Sequence, residues 1–348
     1  YHATTGSNGA YVIPHVPEGS YRPVAGAPGY ADVALGSAWL PWTRVDVAAG
    51  AETLADIVLP DAVARVVPPG QGLAVGDPET LECAAPLPSQ AVRRRITFDS
   101  GGQPNQTTLL YTPTPSAPPP APAMRRPLLL TVYPGPADGW ECASVPLAAA
   151  GYAVLAIGPA YSFDLERDVD DLARLLGLAR AGRLPGVDGT RIALLGGSYS
   201  ALHVQRLLSR GAVAGTVDDV KAVVLLGPPT DLFTMRRRLE DGTFIPPFGL
   251  DQALIALGFP DWRPLRYWRY SGAFHVRHDQ PPTAIIHSRK DEVVPVQQSE
   301  FLAAMLAQVG APHELHIFDE ASHYLLSEGG DALAIYQITL DFLARQLG

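Results

Sequence analysis

The residues best suited to chemistry lie in the second half of the chain. Gly196-Gly197-Ser198-Tyr199-Ser200 follows the apolar run Ile192-Ala193-Leu194-Leu195 and precedes Ala201-Leu202. A serine hydroxyl is a weak nucleophile until a base takes its proton. It must also be lifted clear of the chain that carries it. A Gly-x-Ser-x-small turn between a strand and a helix does this, and its tightness requires small neighbours. Gly196 meets that need upstream, and Ser200 stands where a glycine is usual downstream. The Tyr199 N–H would sit at a helix N-terminus, facing the oxyanion of an acyl-transfer intermediate. The plainer alternative is a glycine-rich turn that only joins a strand to a helix.

A base and an acid follow in order. Ile285-Ile286-His287-Ser288 leads into Asp291-Glu292-Val293-Val294-Pro295, and Asp291 has the spacing of an acid at a strand end. Glu292 is expected to face solvent. Without a partner, Asp291 would read equally well as a turn residue or helix cap. His323 follows Phe318-Asp319-Glu320-Ala321-Ser322. It would take the Ser198 proton and return it to the leaving group. A loop histidine is more often an ordinary polar residue, and His203 and His316 read as structural. The order Ser198, Asp291, His323, each at a strand end, is what sets His323 apart.

The elements needed to position these groups can be read from hydrophobic period. Residues 92–98 and 107–111 form an expected hairpin. Further strands are expected at 128–132, 153–157, 192–195, 220–226, 283–287 and 315–318, with helices at 165–181, 201–210, 296–309 and 332–346. Strands alternating with helices predict βαβ units and a mostly parallel sheet. Eight strands in this order predict an α/β-hydrolase fold over 91–348. Residues 1–62 are read as all-β, and 63–90, rich in proline, as a linker or draped segment. The proline-rich stretch 113–127 reads as an exposed loop. Residues 231–280, rich in aromatics, read as a lid or substrate wall.

From about Val92 to Leu347 the chain resembles the prolyl oligopeptidase family, especially its dipeptidyl peptidase branch. Besides the three residues above, the resemblance rests on Leu128-Leu129-Leu130-Thr131-Val132-Tyr133-Pro134-Gly135-Pro136 and on Gln297-Gln298-Ser299. It implies that the Tyr133 hydroxyl is a second oxyanion donor beside the Tyr199 amide; packing under a turn is the alternative. No repeats of propeller period occur, and no equivalent is seen of the glutamate pair that anchors a peptide N-terminus. Tyr11-Val12-Ile13, Val16-Pro17-Glu18-Gly19-Ser20-Tyr21 and Ala27-Pro28-Gly29-Tyr30 resemble the later part of a carboxypeptidase regulatory-like β-sandwich. That resemblance implies an exported protein, secreted or periplasmic.

The expected function is therefore a serine hydrolase working through an acyl-enzyme, with a carboxylic-ester hydrolase placed first. A peptidase acting on short peptides is the alternative. An inactive hydrolase scaffold used for binding is the alternative of another class, and the intact triad argues against it. Trp140, Phe233, Trp262, Tyr267 and Trp268 are candidates to line the substrate pocket, each with core packing as its alternative. The substrate would be a small-molecule ester or short peptide. The chemistry calls for no cofactor, and no metal-ligand spacing is found. A net charge of −9 gives no basic footprint for nucleic acid. No apolar run is long enough to span a membrane. The chain starts at Tyr1 without a leader pattern and reads as trimmed. Cys83 and Cys142 read either as one disulfide or as two inert thiols, and the oligomeric state is open.

Overall fold

The computed structural model describes residues 1–35, 43–100, 103–114, 125–158, 165–244, 257–325 and 331–348. Four short strands come first: β1 (Gly19–Tyr21), β2 (Val24–Ala25), β3 (Val33–Ala34) and β4 (Val45–Val47). β1 pairs antiparallel with β4 and β2 with β3, making two separate two-stranded sheets. None of the described residues in 1–62 is buried. A sandwich needs two facing sheets that enclose side chains, so the described part of this segment does not form one. It is held by contacts to the rest of the chain: Trp268 Nε1 donates to Asp32 Oδ1 at 2.8 Å, and the His2 ring meets Phe274 and Phe301.

Ten strands build the main sheet. β5 (Gln71–Val75), β6 (Glu79–Cys83), β7 (Ser89–Ser100) and β8 (Gln103–Pro113) form its antiparallel side. β9 (Arg126–Val132), β10 (Ala153–Ile157), β11 (Val187–Gly197), β12 (Val220–Leu226), β13 (Thr283–Ser288) and β14 (His313–Phe318) run parallel to one another. The order is β14-β13-β12-β11-β9-β10-β8-β7-β5, with β6 also pairing β7. All eight expected strands are present. The surprise lies in 63–90, where β5 and β6 extend the sheet instead of linking it. Their side chains are mostly exposed, so they carry no apolar run that would mark them as strands.

The helices are α1 (Glu141–Ala149), α2 (Leu165–Arg180), α3 (Ala201–Ala214), α4 (Leu232–Glu240), α5 (Pro264–Tyr270), α6 (Gln297–Val309) and α7 (Ala332–Leu347). Alternation within each strand sends neighbouring side chains to opposite faces. Leu128, Leu130 and Val132 pack with α2, α3 and α6, while Leu129 and Tyr133 pack with α1 and α7. Both faces of the parallel half are thus covered, which is why its strands read as continuous apolar runs. Residues 115–124 of the proline-rich loop and 245–256 of the expected lid lie outside the described residues.

Candidate active site

Chain order reverses around β9: β10 lies on one side of it and β11 on the other. Loops leaving such strands diverge and open a crevice at their C-terminal ends. The turn after β11 opens there. Ser198 has φ 51°, and among the described residues only His15 and Ser198 are non-glycine residues with positive φ. That left-handed conformation costs an L-residue roughly 1 kcal/mol or more. It is imposed by the tight passage from β11 into a 3-10 turn, Ser198–Ser200, and then α3. Gly196 is needed for the same reason: a Cβ there would lie 2.8 Å from Val204 Cγ2 and 2.9 Å from Ala201 Cα. Ser200, in place of the usual glycine, is fully buried.

Ser198 Oγ lies 2.7 Å from His323 Nε2. His323 Nδ1 lies 2.7 Å from Asp291 Oδ2. His323 stands in the loop after β14 and Asp291 in the turn after β13. The three residues come from separate strand ends of one sheet. Asp291 Oδ1 accepts from the Val293 and Val294 amides at 2.8 and 2.7 Å. Burial raises the energy of the charged carboxylate. The hydrogen bonds from His287 and His323 outweigh that and hold its pKa well below the usual carboxylate range. An anionic Asp291 at Nδ1 leaves Nε2 as the acceptor for the serine proton. Glu292, expected in solvent, is exposed, and its Oε2 accepts from the His323 amide at 3.4 Å.

Tyr199 is the second residue of the 3-10 turn that leads into α3, so its amide lies where the helix dipole favours negative charge. Its ring sits edge-on to His203 at 5.2 Å. Tyr133 is placed differently from the resemblance's implication. Its hydroxyl is in the core, where Ser144 Oγ of α1 donates to it at 3.0 Å, and its ring stacks on Trp140 at 5.2 Å. Burial pushes this phenol up to about 12, against hydrogen bonds from Ser144 and Thr131. A phenol turned into the sheet face finds its partner there and not at Ser198. The backbone beside it is also engaged: the Tyr133 amide donates to Ile157 O and the Gly135 amide to Tyr133 O.

The five aromatic candidates separate. Phe233 belongs to an apolar cluster with Tyr199, Val293, Val294 and Leu202, beside the triad. Asp231 caps α4 by accepting from the Phe233 and Thr234 amides, which fixes where Phe233 starts the helix. Tyr267 lies fully buried in the same cluster, with its hydroxyl donating to Gly258 O at 2.6 Å and its ring 5.5 Å from Phe233. It supports the wall without facing a substrate. Trp268 is bonded to Asp32 and stacked on Phe274, Trp140 is stacked on Tyr133, and Trp262 is 65% exposed.

Two residues near the triad drew no notice in the sequence. Gly227, after β12, has φ 53°, and a Cβ there would lie 3.2 Å from Asp291 Oδ2 and 3.6 Å from the His323 ring. The Gly-Pro-Pro that ends β12 is a signal for it. His287 is the other. Among the described residues, no cluster of histidine, cysteine or carboxylate side chains fits a metal ion, and no helix is long and apolar enough to cross a membrane.

A nucleophile turn, an acid and a histidine on successive ends of a mostly parallel sheet define an α/β-hydrolase. The prolyl oligopeptidase family model matches residues 166–348, more than half the chain, and the chain belongs to that family of serine hydrolases. The uncharacterised peptidase YuxL of Bacillus subtilis is 26% identical over 196 residues, 53% of this chain. The match is 28% of that protein's length, so the chain spans less than a third of this curated relative. Among solved structures, an esterase from Thermogutta terrifontis with propionate bound superposes with a TM-score of 0.53 at 20% identity, covering 72% of this chain and 92% of that one. An acylaminoacyl peptidase in complex with a peptide chloromethyl ketone gives 0.58 at 17% identity, covering 83% and 51%. That of Pyrococcus horikoshii gives 0.54 at 17%, covering 79% and 42%. At these identities the likeness establishes the fold.

Proposed function

We propose that the chain is a carboxylic-ester hydrolase working through an acyl-enzyme on Ser198. One observation carries the reading: the unbroken hydrogen-bonded path from Ser198 Oγ through His323 to Asp291, with 2.7 Å at both joints. His323 Nε2 takes the Ser198 proton as Oγ attacks the ester carbonyl. The tetrahedral oxyanion faces the Tyr199 amide. The proton then passes from Nε2 to the leaving alkoxide, and the acyl group remains on Oγ. Water, deprotonated by the same nitrogen, releases the acid. Phe233 and Tyr199 supply an apolar wall for the acyl or alcohol portion.

Peptide hydrolysis is the second reading, supported by the membership of the family and by the relative named a peptidase. Ester hydrolysis is placed first because Tyr199, Phe233 and Val293 form an apolar wall next to Ser198, a surface suited to the acyl or alcohol portion of an ester. A panel of nitrophenyl esters and aminoacyl anilides tests the choice; cleavage of anilides alone overturns the ester reading. Ser198→Ala is expected to abolish both turnover and labelling by a serine-directed phosphonate. Unchanged turnover in that variant removes Ser198 from the mechanism. We further propose an oxidising, extracytoplasmic location, a reading supported by the Cys83–Cys142 disulfide.

A further inference from the structure

His287 is fully buried at the end of β13, directly beneath the acid. Its Nε2 lies 3.0 Å from Asp291 Oδ2 and 3.0 Å from the Val294 carbonyl oxygen. Its Nδ1 lies 2.6 Å from Ser299 Oγ, in the first turn of α6. Both neighbours of Nε2 are acceptors, so the proton belongs on Nε2 and is shared between them. Nδ1 then accepts the Ser299 hydroxyl proton. The tautomer is settled by a carbonyl on one side and a hydroxyl on the other.

The consequence falls on Asp291. A carboxylate offers about four lone-pair directions. Here Oδ1 takes two backbone amides and Oδ2 takes two imidazole N–H groups, one from His287 and one from His323. A carboxylate met by donors on all four sides cannot turn about its own axis without losing one. With only the Oδ1 amides and His323, the Oδ2 side would be free to tilt away from His323 Nδ1. We infer that His287 is a positioning residue of the reaction: its Nε2–H pins the oxygen that orients His323, and Ser299 pins His287. The inference rests on the acyl-enzyme reading above. His287 touches neither substrate nor Ser198 and acts only through Asp291.

Position, not affinity, is what such a residue controls, so its loss should appear in kcat and leave KM in place. His287→Leu removes the donor. His287→Gln keeps an N–H and an acceptor on one planar group, at about the separation of the two ring nitrogens. The measurement is kcat and KM on a nitrophenyl ester, with active sites counted by phosphonate titration so that unfolded protein does not enter. His287→Leu is expected to lose about 10-fold to 100-fold in kcat per titrated site, as loss of an outer orienting partner does elsewhere, with KM unchanged. His287→Gln is expected to recover most of that loss. Ser299→Ala removes the hydroxyl that anchors Nδ1, leaves the ring free to tilt away from Asp291, and is expected to lower kcat several-fold in the same manner. A per-site kcat in His287→Leu equal to that of the parent protein overturns the inference, as does a glutamine variant no better than leucine. Should the leucine variant fail to fold, an unchanged kcat in Ser299→Ala overturns it. Turnover by Ser198→Ala would instead defeat the acyl-enzyme reading, and the two failures are distinguishable.

Discussion

At the scale of single residues, the site depends on space as much as on hydrogen bonds. Gly227 faces the joint between Asp291 and His323, and its φ of 53° favours glycine. Gly227→Ala is expected to cost about 1–2 kcal/mol of stability through backbone strain. It should also lower kcat, because the added methyl presses on Asp291 Oδ2. Denaturant midpoints together with kcat per titrated site separate the two effects. The acid has a pH signature of its own. Its folded-state pKa is depressed below the ordinary value of about 4. A depressed carboxylate stabilises the fold above its unfolded pKa, and that contribution is lost as pH falls toward the folded value. Asp291→Asn should therefore be less stable than the parent at neutral pH. The gap should narrow as pH falls from about 5 toward 2, which urea midpoints across that range would read. Ser198, Asp291 and His323 were legible in the sequence because each sits in a short motif at a strand end. Gly227 was not, because its importance comes from contacts across strands, and His287 was not, because it reads as one more residue of a buried strand until the turn after β13 folds Asp291 back onto its ring.

At the scale of elements, α1 is the part that corrects the sequence reading most. Ser144 on this helix meets the Tyr133 hydroxyl, and Trp140 just before it covers the ring. Family resemblance implied a tyrosine facing the oxyanion; in the structure its hydroxyl instead meets Ser144 of α1. Tyr133→Phe distinguishes the two placements. Loss of an oxyanion donor lowers kcat by roughly 10²–10³. Loss of a buried hydroxyl bonded to Ser144 costs about 1 kcal/mol of stability and leaves kcat within a few-fold. The second outcome is expected, measured by kcat and thermal midpoint on one preparation. The parallel strands were legible because burial on both faces writes them as runs such as Leu128-Leu129-Leu130 and Val223-Val224-Leu225-Leu226. β5 and β6 were hidden because an edge strand with one wet face has no such run, and the prolines around them read as linker. The aromatic wall was legible only in part: Phe233 lies beside Tyr199, whereas Trp268 is committed to Asp32, a partner 236 positions away in sequence.

At the scale of the whole molecule, two long-range ties hold the layers. Cys83 on β6 is bonded to Cys142 on α1, across a sequence separation of 59. Closing a loop of that size removes unfolded-state freedom worth about 4 kcal/mol in the chain-entropy account. Reduction, or the Cys83→Ser, Cys142→Ser double variant, should lower the denaturant midpoint accordingly and leave the per-site kcat in place, since the triad lies on other strands. The all-β character of 1–62 was legible from its turns, but among the described residues of that segment none is buried, so they enclose no sandwich core. The triad is the second tie, longer in sequence than the disulfide. Its serine–histidine bond joins positions 125 apart, across strands that pair only in parallel. Parallel pairings between distant segments close late, after the antiparallel hairpin of β7 and β8, because chain entropy is lost before they contribute. The nucleophile is thus a clock for assembly: during refolding, phosphonate-reactive serine should emerge after the bulk of the β-sheet signal, marking the moment when the last strands reach register.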